Sequence, residues 1–368
     1  MKRRFFLSTT SCGILPGLIS AAENNESMEQ NIENAVNLIQ KQIDSGALES
    51  AVFEVRQGAF SEARFFGKAK SADAIFLLAS ITKPIAVAGA MLLSDRKELN
   101  ISDPVRKFIP EFSDGERKDI TIEHLLIHTS GLPDQLPENA DLRKAHAPLS
   151  EFVKAAIRTP LLFKPGTKYS YQSMGILLLS EIVERITEIP FPKFLADEVF
   201  APLEMKRSAL GLGDFKISDT IHCQTESSAP ESGAGALESK DWDWNSSYWR
   251  NLASPWGGAH GTAGDVTRFL HSFLNPTGRF IKKETAGLMI QNHTHGLESP
   301  RGLGFDLNPE SFGQSCSATT FGHRGATGTL AWADPKSEAS FVILTSLPLG
   351  VSEESLIKPV SNWISSAV

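Results

Sequence analysis

Between Met28 and Ile43, Ile32, Ala35, Val36, Ile39 and Ile43 fall at helical spacing, with acids and amides between them. This spacing of three and four predicts a helix buried along one face. The period then shortens. Ala51–Val55 and Ala63–Phe66 are short runs rich in valine and phenylalanine, separated by a segment holding Gly58, and they read as strands. Phe76–Leu93 is almost continuously apolar, broken by Ser80, Thr82 and Lys83. Pro84 lacks an N–H and is tolerated only near a helix start, so this run predicts a buried helix that begins close to Ser80. Ser173–Ile186 carries the clearest later helical stripe, with Ile176, Leu179, Ile182, Val183 and Ile186 on one side. Gly264–Leu274 and about Ser352–Ile364 read as further helices. Gly302–Leu307, Thr327–Ala333 and Ala339–Ser346 read as strands. Strands and helices from both chain ends thus flank a helical middle, and no internal repeat is present.

Gly211–Asn251 breaks the pattern: it is polar, rich in Ser, Gly and Glu, and predicts a long irregular excursion. Trp242, Trp244, Trp249 and Trp256, four of the six tryptophans, crowd into or beside it. Either they are buried to hold the loop onto the body, or they line a substrate cleft.

The composition of the 368 residues, 41% hydrophobic and 21% charged, is that of a globular protein and excludes a collagen-like or mostly disordered chain. By length alone, two or three domains would be the first guess. The formal charge is −7, and no dense basic run exists beyond Lys2-Arg3-Arg4, which argues against a nucleic-acid partner. Cys12, Cys223 and Cys316 have neither metal-knuckle spacing nor disulfide-scaffold density, and no disulfide is expected. His124 and His128 are four apart, but Leu125 follows the first histidine where the zinc-protease pattern needs glutamate, so no metal is expected. His293 and His295 lie in a polar turn and read as surface histidines. No Gly-x-Ser-x-Gly elbow frames a nucleophile.

The first residues read as an address. A basic start, Met1-Lys2-Arg3-Arg4, runs into a modestly apolar stretch ending in Ser20-Ala21-Ala22, which suits a signal peptidase. The paired arginines before Phe-Phe-Leu look like a twin-arginine signal, with a general secretory signal as the alternative. Cleavage after Ala22 would remove three positive charges and no acid, taking the charge from −7 to −10. The expectation is therefore residues 1–22 as signal and 23–368 as one exported, periplasmic unit with no stable membrane anchor.

Three segments carry candidate chemistry. In Ala79-Ser80-Ile81-Thr82-Lys83-Pro84, Ser80 and Lys83 are three apart and share a helical face. The helix N-terminus and burial both disfavour a charged ammonium at Lys83. A neutral amine is what a general base for a serine hydroxyl must be. In Lys164–Tyr171, Tyr169 follows a turn and could share a proton with Ser80 if a positive neighbour lowered its pKa. Phe321-Gly322-His323-Arg324-Gly325-Ala326-Thr327-Gly328 begins a strand whose glycines permit close backbone approach. An N–H of this strand could complete an oxyanion hole with that of Ser80.

Serine-x-x-lysine, then a tyrosine motif, then a basic-x-glycine strand, in this order, resembles the penicillin-recognising serine hydrolase family. The similarity is to its class C β-lactamases, D-alanyl-D-alanine carboxypeptidases and related esterases. It covers nearly the whole mature chain and includes Ile122–Pro133, Phe163–Leu179, Gly257–Phe269 and Phe321–Pro335. The resemblance implies an α+β fold of the β-lactamase/transpeptidase type: an antiparallel sheet with terminal helices, formed by about 27–79 and 255–368, and a helical part from about 80–254. It implies an acyl-enzyme on Ser80, with Lys83 and Tyr169 handling the proton and the Ser80 and Ala326 N–H groups holding the oxyanion. No cofactor is implied. Read this way, Tyr171 stands where the family usually has asparagine, and His323 stands where β-lactamases carry lysine. Arg324 replaces a small hydroxyl residue. Ala326, His323, Arg324, Gly325 and Tyr171 are thus the expected substrate-binding set, with either His323 or Arg324 able to anchor a substrate carboxylate. The expected activity is ester or amide hydrolysis of a small-molecule or peptidoglycan-derived substrate. The alternatives are a D,D-carboxypeptidase or β-lactamase, and a β-lactam sensor that acylates without turnover.

Overall fold

The computed structural model describes residues 16–368, with side chains from Ser27 onward. The Arg3-Arg4 pair and Cys12, on which the export reading of residues 1–22 turns, lie outside the described residues.

Helix α1 (Pro16–Asp44) leads into a hairpin of β1 (Ser50–Gln57) and β2 (Phe60–Gly67). The hairpin closes at Gly58, whose φ of 55° suits glycine. The short β3 (Phe76–Leu77) precedes α2 (Thr82–Asp95). After the long middle section come the short strands β4 (Ala209–Leu210) and β5 (Ala259–Gly261). The chain then returns to form β6 (Phe321–Gly325), β7 (Thr329–Asp334) and β8 (Ala339–Thr345). The five long strands make one sheet in the order β2-β1-β8-β7-β6, antiparallel throughout. The two chain ends therefore meet at the β1–β8 pair, in keeping with the resemblance.

The alternation of side chains along these strands divides the core in two. Phe53, Val55, Trp332, Phe341 and Ile343 face α1 and the C-terminal helix Lys358–Ala367, with Ile32, Ala35, Ile39, Val360 and Ile364 opposite. Val52, Ala331, Ala333, Val342 and Leu344 face the other way, onto the larger core that includes α2 and the helices of the middle section. The sheet is thus covered on both faces, which is why β7 and β8 are buried along their whole length. Segment 302–307 does not become a strand. Only isolated bridges form there, Arg301 with Asp306 and Asp306 with Gly322.

The excursion from Gly211 to Asn251 is held by short 3₁₀ turns and the helix Ser247–Leu252. Its three tryptophans and the neighbouring Trp256 are all buried. Cys223 and Cys316 are free thiols.

Candidate active site

Ser80 sits on a 3₁₀ turn, Ala79–Ile81, wedged between β3 and α2. Ala79 immediately before it has a φ of 47°, a left-handed conformation that costs about 1–2 kcal/mol for a residue with a Cβ. Neighbouring elements hold the chain there. Thr327 and Thr329 hydroxyls donate to the Leu77 and Leu78 carbonyls at 2.8 and 3.0 Å. Leu78 N–H donates to Ala259 O, and Ala259 N–H donates to Thr82 Oγ1. Gly325 lies so close that an added Cβ would stand 2.6 Å from the Leu78 carbonyl oxygen and 3.1 Å from Ala79 Cβ. Only a glycine lets the end of β6 approach the nucleophile turn this way.

Lys83, in the first turn of α2, is fully buried. Its Nζ lies 3.0 Å from Ser80 Oγ and 2.9 Å from the Trp256 carbonyl oxygen. Burial pulls its pKa down to about 7. Asp134 opposes this and Arg301 reinforces it. A lysine so placed is substantially neutral at physiological pH.

The structure corrects the tyrosine assignment. Tyr171, not Tyr169, lines the same cavity as Ser80, and its ring centre lies 4.7 Å from Lys83 Nζ. Burial raises its pKa, so the phenol stays protonated; the lowered pKa expected for a tyrosine beside the lysine is not what this pocket produces. Tyr169 instead lies edge-on to His128, with the Arg301 guanidinium 5.6 Å from its ring centre. The two tyrosines are two residues apart, the period at which an extended chain repeats a direction, so spacing alone could not separate them. With Tyr171 at the serine, the third position of the motif is Ser173, and the asparagine comparison made at Tyr171 moves there.

Gln172 fixes this segment. Its N–H donates to His128 Nδ1 at 3.2 Å, its Nε2 donates to the His124 carbonyl at 3.2 Å, and its Oε1 accepts from Ser130 Oγ. Ser173 Oγ donates to Asp134 Oδ1 at 2.6 Å. The signature segment around His128-Thr129-Ser130-Gly131 therefore serves to seat Tyr171. His124 closes the capping box of a short helix, with Nδ1 accepting from Thr121 N–H. His293, expected at the surface, is largely buried and bonds Glu123 and the Leu288 carbonyl.

A cavity of about 130 Å³ opens on Ser80. Tyr171, Ser173, Ala326 and three tryptophans, Trp244, Trp249 and Trp256, line it. Trp242 does not; its Nε1 donates to the Glu238 carbonyl. Both roles weighed for the tryptophans thus occur together: burial fixes the excursion, and three of the rings wall the cleft. Asp134, Arg143 and Glu231 also line it, and none of them was singled out from the sequence. The N–H groups of Ser80 and Ala326 donate to no carbonyl across the turns and loops among the described residues.

The basic pair of β6 divides as strand alternation requires. Arg324 points away from Ser80, pairs with Glu353 and lines a different cavity beside Asn308 and Lys358. It is not placed to anchor a carboxylate at Ser80. His323 faces inward but is buried behind Tyr171, ring centres 6.0 Å apart, with Nδ1 on the Arg324 carbonyl and Nε2 unpartnered. Burial, reinforced by Arg301 and Lys83, holds its pKa well below the usual histidine range, so it is neutral. It does not line the Ser80 cavity.

Known proteins agree with this architecture. The sequence profile of the family described as Beta-lactamase matches residues 36–357. A protein of Escherichia coli (strain K12) carrying the provisional name D-alanyl-D-alanine carboxypeptidase is 26% identical over 303 residues, 74% of this chain and 69% of its own length. Esterase EstB of Burkholderia gladioli is 36% identical over 157 residues, 38% of this chain and 39% of the esterase. Among solved structures, EstCE1, a hydrolase with promiscuous acyltransferase activity, superposes with a TM-score of 0.74 at 22% identity, covering 93% of this chain and 98% of that one. D-amino acid amidase from Ochrobactrum anthropi SV3 gives 0.71 at 18% identity, covering 94% and 97%. The match across most of the chain identifies it as a member of the beta-lactamase family of serine hydrolases.

Proposed function

We propose that this chain hydrolyses an ester or amide through an acyl-enzyme on Ser80. The observation that carries the reading is the 3.0 Å contact between Ser80 Oγ and a buried lysine whose pKa lies at about 7. Neutral Lys83 accepts the Ser80 proton as Oγ attacks the acyl carbonyl. The tetrahedral oxyanion is held by the N–H groups of Ser80 and Ala326. Tyr171, kept protonated by burial, passes its proton to the leaving oxygen or nitrogen and regains one from Lys83. Water then attacks the acyl-serine by the same steps in reverse, releasing the acid and restoring Ser80–OH.

A D,D-carboxypeptidase or β-lactamase is the second reading, favoured by the name of the Escherichia coli relative. Export through the Arg3-Arg4 segment into the periplasm completes the proposal. Turnover of a chromogenic short-chain ester that disappears in Ser80→Ala supports the esterase reading. Rapid turnover of a fluorescent penicillin supports the second. A stable penicillin label with no turnover of either compound replaces both with a sensor.

A further inference from the structure

The cavity beside Ser80 holds a cation whose hydrogen bonds are unspent. Arg143 is 1% exposed, and its guanidinium carbon lies 3.9 Å from the centre of the Trp249 ring. The one hydrogen bond of its side chain among the described residues runs from Nε to Asn139 Oδ1 at 3.2 Å, and Nη1 is buried without a partner. Stacking and the Nε bond together fix the plane of the fork. Arg143 is one of the residues that line the cavity together with Ser80 and Ala326. Although burial lowers its pKa to about 10, Arg143 remains charged at neutral pH.

Two acids share the space. Asp134 already accepts from Ser173 Oγ. Glu231 is near enough for its field to favour the charged guanidinium, yet it forms no ion pair with it. A buried charge lacking a partner is costly, and a bidentate oxygen anion removes that cost. Arg324, the arginine expected for this task, is engaged by Glu353 elsewhere.

We propose that Arg143 is the carboxylate-binding residue of the acyl pocket, and that the substrate is an acyl donor whose acyl chain carries a free carboxylate. This rests on the Ser80 acyl-enzyme reading for its catalytic meaning. The binding itself can be tested separately.

The test uses the tryptophan fluorescence of the full chain, because Arg143 stacks on Trp249. Glutaramate supplies a carboxylate on a short chain, and glutaramide is its neutral counterpart. Saturable quenching by glutaramate at a concentration at least about tenfold below any response to glutaramide is expected, the usual scale of a charge-assisted pair. Arg143→Gln should abolish that difference, Arg143→Lys should weaken it, and Glu231→Gln should tighten glutaramate by removing a like charge. Glutaramate should also compete with p-nitrophenyl butyrate. Equal binding of the two compounds by the wild-type protein overturns the proposal, and that comparison needs no variant to fold. A protein that binds glutaramate selectively but turns over no acyl donor through Ser80 would sink the hydrolase reading and leave Arg143's role standing.

Discussion

Lys83 Nζ lies 4.7 Å from the centre of the Tyr171 ring, so the amine and the phenol reach Ser80 from neighbouring directions within one buried group. Burial pushes the phenol up and the amine down, and the proposed mechanism accordingly uses the amine as base and the phenol as proton donor. Tyr171→Phe keeps the ring and removes the proton. We expect kcat for ester hydrolysis to fall about 10²–10⁴-fold, the usual worth of a positioned acid or base. Tyr169→Phe should cost far less, since Tyr169 does not line the Ser80 cavity. Equal losses in the two variants would contradict the assignment.

The pH profile follows from Lys83. The amine must be neutral to accept the Ser80 proton, so activity should rise with pH through about 7. Asp134 holds that pKa up, so Asp134→Asn should move the acid limb to lower pH. Arg301 holds it down, so Arg301→Gln should move the limb to higher pH. Shifts of the opposite sign, read from kcat/KM profiles, would show that another group titrates.

Gly325→Ala places a methyl against the Leu78 carbonyl and on top of the Thr329 hydroxyl. Forcing β6 away from the Ser80 turn should destabilise the fold by about 1–3 kcal/mol, an overpacking cost. It should also lower kcat more than it raises KM, because the Ala326 N–H moves with the strand. Thermal unfolding and steady-state kinetics check the two effects separately.

Arg324→Ala removes a partly exposed ion pair with Glu353. Such pairs contribute at most about 1 kcal/mol. Ester kcat/KM should stay within about twofold of wild type, whereas a residue anchoring a carboxylate at Ser80 would lose far more.

The sheet and its two covering helices were legible because their apolar periods, 2 for strands and 3.6 for helices, are properties of local sequence. The contact between Ser80 and Lys83 was legible for the same reason, the two being three apart on one short segment. Which of two tyrosines stands beside Ser80 was not, because Tyr169 and Tyr171, the latter expected only as a substrate-binding residue, share a direction in extended chain and only the Gln172 contacts with His128 and Ser130 decide between them. Arg143 was invisible for another reason. Its partner Trp249 is 106 positions away, and only folding brings a lone arginine onto a tryptophan of the irregular excursion. Segment 302–307 failed as a strand because, although all six residues are buried, its backbone finds only isolated bridges.

The most direct test of the account is the covalent intermediate itself. Full-length protein mixed with p-nitrophenyl butyrate, quenched in acid during turnover and analysed by intact and peptide mass spectrometry should carry one butyryl group, on the peptide holding Ser80. Ser80→Ala should carry none and should release no p-nitrophenolate above background. A butyryl group on any other residue, or turnover that survives in Ser80→Ala, would contradict the assignment of Ser80 as the nucleophile.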